Sequence, residues 1–332
     1  MLPRGAPWLA LLMLPVLVWL YGWRTIDTVE WRTITAAPFA VSLDPSQQFL
    51  YGSPLTFLLG SYYEHQGLDF EAAFVVVHGI GLVFFAGALF RCLTTLCSSS
   101  GRAAGVIVLA GSPLLFIVLT WIGKSDTYLL AFYLLLVSTR SPVMQALLAV
   151  LMMACHRELA LAILFAHVLL RGNAWPIVSG AAAGLAASFG FIYLFLERVP
   201  ASRLDFLLAN AGDLAARVAR HPFTYLVAAL GPFWLYLFRP SSLTATRVIV
   251  LAIAAVLASL TFDFTRVFVL ASTPLLLLLT EEVVRELRTS GGMLLWGHRI
   301  GLGALALLAF AQIQVAGAKV LWVRGLEWML TP

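Results

Sequence analysis

Residues 143–170 read VMQALLAVLMMACHRELALAILFAHVLL. Apart from Gln145, His167 and the triplet His156-Arg157-Glu158, every position is apolar or small. An unbroken helix would put the triplet near the middle of an apolar segment, where ionisable side chains are expensive. Two short helices, Val143–Cys155 and Leu159–Leu170, would put it in the break between them. Each half would span only about 20 Å at roughly 1.5 Å per residue, against about 30 Å for a hydrocarbon core. Such pieces are re-entrant, thin the bilayer locally, or sit sheltered among other helices.

The same pattern of apolar runs and polar breaks fills the chain. Longer runs cover Pro7–Trp23, Glu71–Phe90, Ala103–Ile122, Ala174–Leu196, Pro222–Phe238, Thr246–Phe262 and Ile300–Trp322. Two more short runs cover Thr127–Ser138 and Val267–Thr280. Of 332 residues 61% are hydrophobic and 11% charged, and the mean hydropathy is +0.94. A water-facing surface needs nearer one quarter charged residues, so the composition excludes a soluble enzyme, a disordered chain and a nucleic-acid-binding domain. The basic balance, 21 Lys and Arg against 16 acids, suits cytoplasmic membrane loops. The expected fold class is all-α: a polytopic integral membrane protein of about ten or eleven transmembrane helices, several short or re-entrant. It forms a single transmembrane domain over 1–332, placed in the plasma (inner) membrane as a multi-pass protein. Pro7–Trp23 reads as a retained anchor, because no small-residue cleavage site follows it closely.

Two segments stand apart. Residues 24–70 form the longest polar stretch and read as a first extracytoplasmic loop. Residues 202–219 place Leu204, Leu207, Leu208, Ala211, Leu214, Ala215 and Val218 at helical spacing, which predicts an interfacial amphipathic helix. The Lys/Arg rule leans slightly to ten spans. With eleven, however, four polar breaks reach one face: the first loop, Lys124–Asp126, His156–Glu158 and Asp263–Arg266. Convergence of separated ionisable groups is what a site requires, so eleven is preferred.

Each break has a chemical reading and a plainer one. In WIGKSDTYLL, Lys124 can counter a phosphate and Asp126 can hold it or a sugar hydroxyl; otherwise Ser125 or Asp126 caps a helix. In MMACHRELAL, Arg157 can bind an anion with His156 or Glu158 orienting it; otherwise the charges mark the water boundary. In LTFDFTRVFVL, Asp263 and Arg266 share a helical face and can pair with each other, or Arg266 can fork onto phosphate oxygens. The first loop offers Asp27, Glu30 and Asp44 as carboxylates for general-base work, or simply as solvated charges. Cys92, Cys97 and Cys155 lack metal-ligand spacing, and HExxH, GxSxG and GxxxxGK[ST] are all absent.

An anchor, an acidic outer loop and many spans broken by GKSD, HRE and FDFTR resemble polytopic glycosyltransferases of the GT-C type, and related O-antigen-polymerase or EpsG-like membrane proteins. The resemblance implies a polyprenyl-phosphate-linked sugar donor and an acidic first-loop residue as base, with Asp27 nearest the first span. On that reading Lys124, Arg157 and Arg266 hold the donor phosphate, and the scheme calls for neither metal nor cofactor. The expected partners are the lipid-linked donor and membrane lipids, with no nucleic acid. Two other classes use the same residues without chemistry: a transporter or flippase for an anionic lipid or small anion, and a non-catalytic envelope-assembly subunit.

Overall fold

The computed structural model describes residues 24–25, 28–43, 48–97, 105, 109, 113–122, 125–200, 208–213, 216, 244–261, 264–289, 314–316 and 319–321. The helices are α1 (Thr28–Ala36), α2 (Leu55–His65), α3 (Phe70–Leu96), α4 (Pro113–Thr120), α5 (Asp126–Ser138), α6 (Pro142–Cys155), α7 (Arg157–Arg171), α8 (Trp175–Phe195), α9 (Ala245–Ser259), α10 (Phe264–Ala271) and α11 (Thr273–Thr289). Short extended pairs join them: β1 (Arg24–Thr25) runs parallel to β2 (Trp121–Ile122), and β3 (Gln314–Ala316) antiparallel to β4 (Lys319–Leu321). The chain divides into two compact units. One comprises Met1–Trp23, Leu93–Thr120 and Gly212–Pro332; the other comprises Arg24–Cys92 and Trp121–Ala211.

The helical class is as expected, and two helices, α3 and α8, are long and apolar enough to cross a membrane. The central break is resolved as well. His156 is extended (φ −163°, ψ 93°) and divides residues 143–170 into α6 and α7, so the single fused helix does not form. Ser141 caps α6 by accepting from the Met144 N–H, with Pro142 in the first turn where a missing N–H is harmless. Gly172 ends α7 in the left-handed conformation (φ 75°), which only glycine adopts without strain.

In the unit Arg24–Cys92 with Trp121–Ala211, α5 is buried on nearly every side, as an all-round apolar helix must be. Its Tyr128 hydroxyl donates to the Val77 carbonyl of α3 (2.6 Å), and its Tyr133 hydroxyl lies 3.1 Å from His167 Nδ1 of α7. Helices α6 and α8 touch through small residues: a Cβ on Gly180 would fall 2.3 Å from the Ala146 carbonyl oxygen, and one on Gly184 2.8 Å from Met153. Such close backbone approach requires small side chains on the facing helix surfaces.

The first loop is not irregular. Helices α1 and α2 form inside it and pack on each other. Trp31, fully buried, sits over Gly60, and Thr35 donates to Glu64 Oε1 (2.7 Å). Trp31 also meets Phe70, Phe74 and His78 of α3, so His78 packs among aromatic rings.

In the unit that contains α9 to α11, Thr244 caps α9 through the Arg247 N–H, and the Arg247 guanidinium donates to Glu282 of α11. Two expected spans differ. The run Val267–Thr280 is split at Ser272 into α10 and α11, because Pro274 has no N–H to continue the ladder and disfavours helix at the residue before it. The expected helix Ile300–Trp322 contains β3 and β4, whose register pairs Ala316 with Lys319. Of the expected amphipathic segment 202–219, residues 208–213 are helical. The runs Pro7–Trp23 and Pro222–Phe238 lie outside the described residues.

Two glycines of α8 give a matched test. Gly180→Ala forces a methyl into the α6 backbone and should lower stability by about 1–3 kcal/mol, the usual size for overpacking. Gly190 faces open space, so Gly190→Ala should be neutral or stabilising by up to about 1 kcal/mol through helix propensity. Thermal melts of both variants in detergent read the difference; equal melting temperatures would show that α6 and α8 do not touch at Gly180.

Candidate functional site

Three of the polar breaks meet in one unit. The first is the 3-10 turn Phe49–Gly52 with Ser53 after it. Ser53 Oγ accepts the Arg157 backbone N–H (3.2 Å), one of the donors a helix start leaves without an internal partner. The second is Ser125, whose hydroxyl donates to the Cys155 carbonyl at the end of α6. The third is His156 itself, whose Nδ1 accepts from the Leu159 N–H (3.4 Å) and so caps α7.

Arg157 occupies the centre of this meeting. Its Nη2 donates to Glu158 Oε1 (3.0 Å) and its Nη1 to Ser188 Oγ of α8 (3.4 Å). Ser188 in turn donates to the Gly52 carbonyl (3.0 Å). The guanidinium carbon stands 5.5 Å from the centroid of Phe189, a cation–π distance. A Cβ at Gly52 would lie 3.2 Å from Nη2, so a larger residue there would press on the guanidinium. The site therefore has a cation with fixed geometry, a carboxylate beside it, a hydroxyl and a half-exposed aromatic face.

Burial pushes the Glu158 carboxyl up, but His156 and Arg157 more than offset this and hold it below the usual carboxylate range. His156 Nδ1 is 3.6 Å from Glu158 Oε2. When Nδ1 accepts from Leu159 it carries no proton, so the charge pair with Glu158 belongs to the protonated imidazole. Among the described residues no group of three or more His, Cys, Asp or Glu is placed to hold a metal ion.

The other residues singled out in the sequence fall as follows. Asp126 is buried at the start of α5, next to Ser125. Glu30 lies on α1. Arg266 is buried on α10, in the other unit. Asp27, Asp44, Lys124 and Asp263 lie outside the described residues. The β1–β2 pairing does set Thr25 beside Ile122; Asp27 and Lys124 each follow these by two positions in the chain. Cys92, Cys97 and Cys155 are free and buried. Sequence reasoning missed Gly52, Ser53, Ser188 and Phe189. The available signals were a Gly-Ser-Pro turn at 52–54 and a lone serine in the apolar run AASFGF at 186–191.

No family model matches the chain, and neither the curated proteins nor the solved structures contain a match. What stands is an α-helical protein with two helices able to cross a membrane and an arginine-centred cluster between chain breaks.

The depressed Glu158 carboxyl has a signed consequence for stability. Its contribution is present above the unfolded carboxylate value, about 4.3, and is lost as pH falls through the lower folded-state value. Thermal melts from about pH 6 to about pH 3 should show a steeper acid loss for the wild type than for Glu158→Gln. Parallel acid profiles would mean that Glu158 gains nothing from His156 and Arg157.

Proposed function

We propose that the protein is a multi-pass plasma-membrane glycosyltransferase that moves a sugar from a polyprenyl-phosphate donor to an acceptor at the extracytoplasmic face. The observation that carries this reading is the position of Arg157. Its guanidinium lies against Phe189, whose ring is 45% exposed on the long apolar helix α8. Around Phe189 the surface of α8 continues as Val178, Tyr193, Leu194 and Phe195, all exposed. A fixed cation that borders an apolar surface suits an amphiphile with an anionic head, whose tail lies along the helix while its phosphate reaches the fork. A small aqueous anion has no use for that surface.

In this scheme the acceptor hydroxyl attacks the anomeric carbon as its proton passes to a first-loop carboxylate. The bond between that carbon and the phosphate oxygen breaks, and the lipid phosphate leaves with the electron pair. Arg157, with Lys124 as a further cation, stabilises the charge that grows on the leaving phosphate. Ser188 and Glu158 keep the fork oriented. Asp126 and His156 complete the polar lining. Support for the carboxylate side comes from β1 and β2, which bring the chain just before Asp27 beside the chain just before Lys124.

Binding of a polyprenyl monophosphate to purified protein in nanodiscs tests the phosphate site. Arg157→Met should weaken it by about 10- to 100-fold, the worth of a charged hydrogen bond of about 1.5–3 kcal/mol. Arg157→Lys should fall in between, because it keeps charge and loses the fork. Unchanged affinity in a folded Arg157→Met protein removes Arg157 from the site. Anion flux into liposomes without lipid-phosphate binding supports the transporter instead.

The base is tested separately. One of Asp27→Asn, Glu30→Gln or Asp44→Asn should slow transfer by roughly 10²–10⁴-fold with donor affinity nearly intact. Full activity in all three would remove the first-loop base.

A further inference from the structure

The Arg157 cluster depends on a turn that cannot place itself. Phe49–Gly52 is four residues of 3-10 helix with no side-chain cap, and a piece that short has no stability of its own. Its position is set from outside, through Tyr51. That side chain is buried (2% exposed), yet its hydroxyl donates to the Ala40 carbonyl (2.9 Å) and accepts the Ser42 N–H (3.2 Å). The segment it grips is held again from the far side. Arg198 Nη2 donates to the carbonyls of Val41 (2.6 Å) and Ser42 (2.8 Å), and the Glu197 N–H donates to the Phe39 carbonyl (3.1 Å). Phe39 meets Phe191 of α8 at 6.3 Å, and Gln48 donates to the Ser42 carbonyl (3.0 Å).

These contacts close a circuit. Arg198 follows the end of α8, and α8 carries Ser188, which holds both the Gly52 carbonyl and the Arg157 guanidinium. We infer that Tyr51 and Arg198 are positioning residues: they clamp Phe39–Ser42 to the end of α8 and so hold Gly52 and Ser53 against Arg157. The clamp's relevance to ligand binding rests on the reading of Arg157 as the phosphate site; the clamp itself rests only on the contacts. Neither residue touches the guanidinium, so both act through the turn. Arg198 is exposed and bonds two carbonyls at the surface, so its removal leaves the helices packed. Tyr51→Phe keeps the buried ring and removes only the hydroxyl.

Residue-resolved hydrogen exchange of the whole protein in nanodiscs provides the readout, with the Arg157 amide as reporter. That amide is protected by Ser53 Oγ, so it senses where the turn sits although it is remote from Arg198 in sequence. In Tyr51→Phe and in Arg198→Met the amides of Ser53 and Arg157 should exchange several-fold faster, at unchanged melting temperature. Arg198→Lys, which keeps a donor for one carbonyl, should restore part of the protection. Polyprenyl monophosphate affinity should drop about three- to tenfold, because each variant removes two hydrogen bonds of ordinary strength but acts on the ligand only through the turn. Unchanged protection at Arg157 in both variants would overturn the clamp. If protection is lost while lipid-phosphate binding is unaffected, or is absent even in the wild type, the clamp stands and the phosphate reading of Arg157 fails.

Discussion

The break at His156 imposes a requirement that the surrounding elements satisfy. A helix that stops and restarts among apolar neighbours exposes carbonyls at one end and N–H groups at the other, and each buried orphan is expensive. Here the Cys155 carbonyl accepts from Ser125, the Arg157 N–H donates to Ser53, and the Leu159 N–H donates to the His156 ring. The His156 N–H and carbonyl continue the helical ladders on either side, to the Met152 carbonyl and from the Ala160 N–H. Two of the three side chains come from elsewhere in the chain. The first loop and the start of α5 therefore supply the side chains that satisfy this break, before any ligand is considered. A cluster of polar groups assembled for that reason is then available for function.

Arg157 adds the charge. An arginine here needs compensation, and Glu158, Ser188 and the Phe189 ring provide it. Glu158 is partly exposed, so the ion pair by itself is worth little, of the order of a surface pair at about 0–1 kcal/mol. Packing stability is thus a weak reason to keep an arginine next to an apolar surface. The guanidinium has five N–H donors, and the two bonds described for it engage one each on Nη1 and Nη2. Compare Arg247, which is buried and aimed at Glu282 between α9 and α11. That pair joins two helices, which accounts for it structurally; the Arg157–Glu158 pair joins neighbours on one helix and pins nothing together.

The helices were legible where composition changes sharply. Runs ending at Ser138, Cys155 and near Arg171 are bounded by polar residues, and the observed helices stop there. The triplet at 156–158 also marked its own break, because three ionisable residues have no apolar partners to hide among. What the sequence concealed has physical causes. Helices α1 and α2 lie in a stretch whose polarity suggests a loop, and they are stabilised by a tertiary contact, Trp31 over Gly60, that no local pattern encodes. Ser188 is one hydroxyl in an apolar helix, and its importance comes from facing Gly52, 136 positions away. The strands β3 and β4 replaced an expected helix because apolar content alone does not distinguish the two periods over a short run.

Helix length separates the elements by environment. Helices α5, α6 and α7 have 13, 14 and 15 residues, about 20 Å at roughly 1.5 Å per residue, too short to cross a core of about 30 Å. They are tolerable where protein covers them, and α5 is covered almost completely. Helices α3 and α8 have 27 and 21 residues and leave apolar side chains outward, Val75, Ile80 and Val83 on one, Val178, Tyr193 and Leu194 on the other. The buried positions of α8, Ile177, Gly180, Gly184, Ser188 and Ile192, form one face. Three of these five are glycine or serine, so α8 seals against α6 by backbone contact at one level and against the Phe49–Gly52 turn by a hydroxyl at the next. Substituting that serine with an apolar residue would keep the packing but leave the Gly52 carbonyl without its donor. The same residue that packs on this face of α8 thereby orients the Arg157 guanidinium beside it.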